Sequence, residues 1–504
     1  MAFKIPRLEP RKILALTSII GGLAMSANAW ALPSFARQTG WSCATCHTSF
    51  PQLTPMGRIF KLMGYTTENL QPQQKIDAKV GNVVHLLLPR ISQFSIFVQA
   101  SDTHVAGGQG VLGAAPRTSG KGQPVGRNNN LEVPQQVSLF YAGEVTPHVG
   151  DFLHITYNGQ GGNFAFDDSS IVRTQAWKLG LHNTLITGVD VNNTPSATDL
   201  WNTSPDWQAP FFTSNYTAEG AVPTTFIGSS PGAAFPLIGL GAYAADIVGP
   251  NRANWFYAEA DAYDNAEGTG TAPNLGGFFE GGSNSSFGQL AGTAPYLRLA
   301  YQHDWSDWNW EVGTYDMWSR VYASPISSAV NRFYDYDLDS QLQWLDINDN
   351  NNVTVRANLI HEDANFAAGA ANTSLTHGQL NTFNLNATYW YHDTYAAQGG
   401  FQDVTGTANS NFWGGNIYTS ANGSPNTTDE WVEASYLPCG NIYTSANGSP
   451  NTTDEWVEAS YLPWWNTRLS VRYTMFNKFR GLTGNNGTSP SKFNTIELLA
   501  WIAY

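Results

Sequence analysis

From Val80 onward, apolar and polar residues alternate. In the run from Val353 to Leu359, Val353, Val355, Ala357 and Leu359 fall on one face; Thr354, Arg356 and Asn358 fall on the other. Leu297, Leu299 and Tyr301 alternate with Arg298 and Gln302. Leu469, Val471, Tyr473 and Met475 alternate with Ser470, Arg472 and Thr474. A period of two is a strand with two unlike faces. Charges on the second face imply a wet or polar interior, as in a transmembrane barrel. A soluble sandwich has a similar pattern. The end of the chain favours the membrane, because Ile496, Leu498, Ala500, Ile502 and Tyr504 form one apolar face that finishes on an aromatic ring.

Strands of this kind recur from 82–100 to 493–504, about sixteen in all, enough for a barrel with a lumen. Long connections (101–134, 194–240, 265–294, 364–378 and the region after 407) alternate with short ones (146–150, 250–252, 306–308, 347–350 and 464–466). Long outer loops and short periplasmic turns are expected of such barrels. A first strand that starts on the periplasmic side puts every long loop outside. Residues 80–504 are therefore expected to be an all-β, antiparallel transmembrane β-barrel.

Composition agrees. Charged residues are 13% of the 504, about half the usual soluble share, and aromatics are also 13%, with 18 Trp. After the first 31 residues no apolar run is long enough for a transmembrane helix. Residues 1–31 read as a secretory signal. Lys4, Arg7, Arg11 and Lys12 precede an apolar stretch from Ile13 to Ala27, then small-x-small sites at Ala27–Ala29 and Ala29–Ala31. The whole chain carries −14; the leader, with Glu9 included, carries +3, so the remainder is near −17. Nucleic acid is thereby disfavoured as a partner, and attraction of cations is compatible.

The chemistry lies at Cys43-Ala-Thr-Cys46-His47, the attachment pattern of a c-type haem. Two thiols two residues apart reach the two vinyl groups of one porphyrin edge, and the following imidazole binds the iron. A thioredoxin pair would expect a βαβ setting, and a zinc site a second ligand pair; neither is present in the sequence. A short disulfide is the remaining alternative. Residues 32–79 are too few for an ordinary cytochrome domain, so this segment is expected to lean on the barrel, with haem c forming much of its core. Leu53, Ile59, Phe60 and Leu62 are candidates to pack the haem, and Arg37, Arg58 and Lys61 to pair with its propionates. Met63 and Met56 are candidate sixth ligands, with His85 and His104 further off.

Gly415–Pro438 and Gly440–Pro463 are identical letter for letter. Structural repeats normally drift, and bacterial single-chain barrels have even strand counts. One copy is therefore expected outside the wall, the second being the better placed. Cys439, at the junction, is expected to be without function.

The run Pro33-Ser-Phe-Ala-Arg-Gln-Thr-Gly-Trp-Ser-Cys43-Ala-Thr-Cys46-His47, followed by Phe50-Pro-Gln-Leu-Thr-Pro-Met-Gly-Arg58-Ile-Phe-Lys-Leu-Met-Gly-Tyr65, resembles the fused monohaem cytochrome–porins of iron-oxidising bacteria. Thr184–Pro195, Trp201–Trp207 and the terminal Ala500–Tyr504 are also similar to that family's barrel. The resemblance implies an outer-membrane cytochrome c with its haem on Cys43, Cys46 and His47. The haem segment would plug or cap the lumen from the periplasmic side. It implies oxidation of extracellular Fe(II), with electrons passed to a soluble periplasmic carrier (a cytochrome or cupredoxin). Asp206, Asp335 and Asp337 are candidate loop ligands for Fe(II). Other readings are a haem-bearing porin for solutes, a conduit for a different extracellular donor or acceptor, and, more distantly, a peroxidase.

Overall fold

The computed structural model describes residues 33–48, 50–66, 75–80, 84–89, 93–106, 129–159, 163–207, 214, 225–229, 237–249, 252–266, 289–323, 328–346, 348, 351–367, 376–392, 395–407, 427–434, 453–464, 466–478 and 489–504. The expected leader and Cys439 lie outside the described residues.

A hairpin of β1 (Lys75–Val80) and β2 (Val84–Pro89) precedes the barrel. The wall is β3 (Phe94–Val105), β4 (Asn129–Thr146), β5 (Val149–Asn158), β6 (Asn163–Phe166), β7 (Ser170–Lys178), β8 (Thr184–Asn192), β9 (Leu237–Val248), β10 (Asn254–Asn265), β11 (Ala294–Trp305), β12 (Trp308–Tyr322), β13 (Val330–Asp346), β14 (Asn351–Asn365), β15 (His377–Tyr391), β16 (Tyr395–Gly406), β17 (Thr427–Ala434), β18 (Thr453–Trp464), β19 (Thr467–Lys478) and β20 (Thr495–Ala503). β20 closes onto β3, so the sheet has no edge. The wall thus begins at Phe94, later than the sequence pattern suggested, because the apolar run 84–89 is spent on the separate hairpin.

Alternation sets the two faces. Leu297 and Leu299 are 39% and 58% exposed, whereas Arg298 between them is 1% exposed. Thr354, Arg356 and Asn358 are buried inside, as are Ser470, Arg472 and Thr474. Glu497 is buried among the apolar outward residues of β20. An apolar outer belt around a polar lumen is a bilayer-spanning wall. No described helix is long and apolar enough to cross a membrane.

The short connections fall at one end, between β4 and β5, β9 and β10, β11 and β12, and β18 and β19. β3 starts at that end, so the N-terminal segment enters there.

β6 and β7 pair with opposite halves of β5 and share one position in the wall. Both copies of the repeat also enter the wall, as the neighbours β17 and β18, where one copy was expected to lie outside. The reason is local. Each copy carries the same Thr-Thr-Asp-Glu-Trp-Val-Glu-Ala run and so the same strand-forming preference. Every other described junction in the ring is antiparallel. By parity, β17 and β18 run in the same direction. The inserted copy makes one parallel seam in an otherwise antiparallel ring of seventeen described strand positions, β6 and β7 sharing one.

Candidate functional site: the Cys43–His47 turn inside the lumen

Three short helices fill the lumen at the short-turn end: α1 (Pro33–Thr39), α2 (Cys43–Cys46) and α3 (Pro55–Leu62). Each is too short to be stable alone. Contacts with the wall hold them. Ser34 N–H donates to Ser95 Oγ at 2.9 Å, Gln38 Nε2 to the Ala142 carbonyl at 2.9 Å, and Arg37 to the Phe94 carbonyl. Thr54 caps α3, its hydroxyl accepting from Gly57 N at 3.1 Å, and Pro55 follows at the first helical position.

The attachment turn is pinned from both sides. Thr54 N–H donates to the Cys46 carbonyl at 2.9 Å, and Thr54 Oγ1 to the Thr45 carbonyl at 2.7 Å. Gly57 packs so closely that an added Cβ would lie 2.2 Å from the Cys46 carbonyl oxygen, so only glycine fits. Cys43 and Cys46 form no disulfide with each other. Burial, then the neighbouring Cys43, pushes the Cys46 thiol up to about 11.

His47 leaves α2 in extended conformation. Its Nδ1 lies 3.3 Å from the Gln52 carbonyl oxygen, and a carbonyl can only accept, so Nδ1 carries the proton. Nε2 is then the lone-pair nitrogen available to a metal. Burial lowers the His47 pKa to about 4 despite hydrogen bonds to Gln52 and Pro51, which keeps the ring neutral and able to ligate.

Cys46 and His47 line a cavity of about 490 Å³. Phe35, Trp41 and Phe60 line it from the plug, and Phe97, Phe140 and Trp501 from the wall. Cys43 is buried beside the cavity at the start of α2 without lining it, whereas the Cys46 thiol and the tautomer-fixed His47 imidazole do line it; this donor set and a cavity of this size fit a c-type haem.

The other sequence candidates separate. Phe60 and Leu53 line the cavity, whereas Ile59 and Leu62 pack into a cluster with Trp201, Tyr243 and Tyr257. Lys61 lines the cavity and donates to the Asp199 carbonyl at 2.7 Å. Burial lowers its pKa, outweighing attraction to Asp199. Arg58 does not line the cavity. It is wholly buried and is the plug's anchor to the wall. Nη2 donates to Asn309 Oδ1 at 2.7 Å; Nη1 faces Gln341 Oε1, Gln343 Oε1 and the Leu53 carbonyl, each at 2.9 Å. Burial brings its pKa down to about 10, with Asp304 and Glu311 opposing.

Neither Met56 nor Met63 lines the cavity, and Met63 packs against the Trp201 cluster instead. His104 does not line it either, and the His85 side chain lies outside the described residues. A second imidazole shares the cavity with His47: His154 of β5, stacked on Phe140 at 4.2 Å. The sequence held one signal for it, because Phe152, His154 and Thr156 alternate on one face of a strand. It gave no sign of which plug residue that face meets.

Asp335 and Asp337 are not loop ligands. They lie within β13, 0% and 5% exposed, on either side of the outward Tyr336. Strand alternation turns them into the lumen, where Asp335 Oδ2 accepts from Ile227 N–H at 2.6 Å. The Asp206 side chain lies outside the described residues.

A loop from the opposite end also enters the lumen. It begins with the turn α4 (Pro195–Thr198). Asp199 Oδ1 accepts from the Trp201 and Asn202 amides at 3.0 and 3.1 Å, and Oδ2 from the Ser204 amide and hydroxyl at 2.9 and 2.8 Å. Trp201 Nε1 donates to Gln302 at 2.8 Å, and Arg356 donates to the Asn202 and Trp207 carbonyls.

No protein-family model matches the chain, and no curated protein matches it. Solved structures similar to it include a loop L8 deletion mutant of OmpT, an outer membrane protein of Vibrio cholerae (TM-score 0.38, 8% identity, covering 82% of this chain and 98% of that one). The outer membrane channel DcaP of Acinetobacter baumannii is another (TM-score 0.38, 9% identity, 82% and 96%). A third is the anion-selective porin from Comamonas acidovorans (TM-score 0.37, 9% identity, 82% and 98%). The membrane placement stands on the chain's own faces: a closed wall, apolar outside and polar inside, is a bacterial outer-membrane β-barrel.

Proposed function

We propose that this chain is an outer-membrane electron-transfer protein, an iron:cytochrome-type oxidoreductase, with one c-type haem held inside its barrel. Cys43 and Cys46 would hold the haem by thioether bonds, and His47 Nε2 would ligate its iron. Fe(II) at the outer face is the donor and leaves as Fe(III); a soluble periplasmic carrier, a cytochrome or cupredoxin, takes the electron. The observation that carries this is the placement of Cys46 and His47 on an aromatic cavity within the lumen, with His47 Nδ1 already committed to Gln52.

A bound c-type haem supplies one-electron chemistry at its iron, at a potential that the protein tunes. The residues do the rest. Gly57 and Thr54 fix the attachment turn, and Arg58 fixes the plug to β12 and β13. Lys61 is the one basic residue of the three candidates that faces the cavity, and it is placed to pair with a propionate.

A haem-bearing porin is the second reading, favoured by the closed wall itself. The two part on the lumen, which the plug enters from one end and residues 194–207 from the other, both hydrogen-bonded to the wall. The test is anaerobic mixing of the oxidised, purified protein with Fe(II). Appearance of a reduced c-type spectrum supports the proposal. An unchanged spectrum, with solute flux through liposomes carrying the protein, supports the porin.

A further inference from the structure

Three carboxylates meet in the lumen away from the haem-attachment turn: Asp190 of β8, and Glu259 and Asp261 of β10. Each offers an oxygen within 4.8 Å of the others. All three are buried, at 2%, 4% and 5% exposure. In each, one oxygen is engaged. Asp190 Oδ1 accepts from Asn192 at 2.6 Å, Asp261 Oδ1 from Asn192 at 3.4 Å, and Glu259 Oε2 from the Tyr257 hydroxyl at 3.0 Å. Among the described residues the second oxygen in each, Asp190 Oδ2, Glu259 Oε1 and Asp261 Oδ2, has no hydrogen-bond partner. Buried unpartnered carboxylate oxygens are costly unless something positive meets them.

The wall makes room for this grouping. Gly241 of β9 sits in register with Asp190 on one side and Asp261 on the other. A Cβ there would lie 1.6 Å from Asp261 Oδ1 and 3.0 Å from Asp190 Oδ2. Glycine on the middle strand thus lets two aspartates from flanking strands approach across it.

Nearby cations are committed elsewhere. Arg298 is the register neighbour of Glu259, but its Nη2 donates to Asp339 at 2.7 Å and Glu311 at 3.2 Å. Lys61 attracts Glu259 at a distance and donates to the Asp199 carbonyl. Donors on opposite sides of a hard cation, with bonds of about 2.1–2.5 Å, lie about 4–5 Å apart, so the oxygens already have coordination spacing.

We propose that Asp190, Glu259 and Asp261 form a binding site for a hard divalent cation in the barrel lumen. The donors are all oxygen, which suits Mn(II), Mg(II), Ca(II) or Fe(II) rather than a thiolate- or imidazole-seeking ion. On the function proposed above, and resting on it, the occupant is ferrous iron. Glu259 interacts with Thr198 of α4, and Thr194 and Ala197 beside it line the same cavity as His47, so a single turn separates the two sites.

The test is Mn(II) titration of the metal-stripped, full-length protein, with free Mn(II) read by electron paramagnetic resonance, followed by anaerobic competition with Fe(II). One saturable site is expected. The double variant Asp190→Asn with Asp261→Asn should weaken it about ten-fold or more. Gly241→Ala keeps all three carboxylates and should weaken it too, because its methyl intrudes on them. Heat-modifiable migration on a gel establishes that each barrel is folded. Mn(II) binding that is unchanged in the folded double variant, or no saturable site in the parent, overturns the proposal. Displacement of Mn(II) by Fe(II) supports the iron assignment, and failure to displace it overturns that part. The readout needs no haem, so it separates this site from the electron-transfer reading.

Discussion

His47 Nδ1 lies 3.3 Å from the carbonyl oxygen of Gln52, five residues on, where the chain returns to pair Leu53 with His47. That contact leaves Nε2 as the nitrogen free to ligate a metal and holds the ring at the cavity wall. His154, and neither Met56 nor Met63, lines the same cavity. We therefore expect Met56→Leu and Met63→Leu to leave the oxidised and reduced optical spectra unchanged, without loss of a methionine–iron charge-transfer band. His154→Ala should alter the oxidised spectrum. A methionine-type band that vanishes in Met63→Leu would contradict the assignment.

Arg58 ties the plug to the wall through Asn309, Gln341 and Gln343. Replacing it with Ala leaves three buried amides short of a donor, while the Leu53 carbonyl keeps only Gln343 Nε2. The expected cost is about 3 kcal/mol, roughly a hundred-fold in the undocked population. Limited proteolysis checks this: cleavage within residues 33–66 should accelerate while the barrel stays heat-modifiable. Arg58→Lys should fall between, because one ammonium does not reproduce the planar fork.

Acid sensitivity follows from Asp199. Burial alone would raise its pKa, but Arg298, the Ser204 amide, Lys61 and the Ser204 hydroxyl more than reverse this and hold it below the ordinary 3.8. A depressed carboxylate contributes stability that is present above its unfolded value and lost as pH falls through the folded one. Protease resistance of the lumen loop should hold from pH 7 to about 4 and fail only below that. Asp199→Asn should lose that resistance at neutral pH.

The barrel and the chemistry were legible for different reasons. Outward Leu297 and Leu299 against inward Arg298 follow from a period of two, because bilayer on one side and water on the other impose it. Cys43, Cys46 and His47 are adjacent in sequence, so their pattern survives without a fold. What failed needed long-range geometry. Asp335 and Asp337 stood as candidate loop acids for Fe(II); their place within β13 turns them inward. His154 and Trp501 meet the plug over more than a hundred residues of separation, which no local pattern encodes. The repeat misled by another route. Strand parity argued for excluding one copy, but identical sequence gives both copies the same pairing preference.

Removing one repeat unit tests that seam. Deleting residues 415–439 takes out β17 with its connection and returns every junction to antiparallel. The shortened chain should fold, keep heat-modifiable migration, and melt at the same temperature or higher. A chain that no longer assembles would mean that the parallel seam is required.

The central claim is a covalently held macrocycle inside the barrel, and intact-mass spectrometry of the denatured protein purified from outer membranes tests it most directly. The expected chain is heavier than its polypeptide by one haem, and by none when Cys43 and Cys46 are both replaced with Ala. A parent chain at bare polypeptide mass, from cells competent to attach c-type haem, would contradict it.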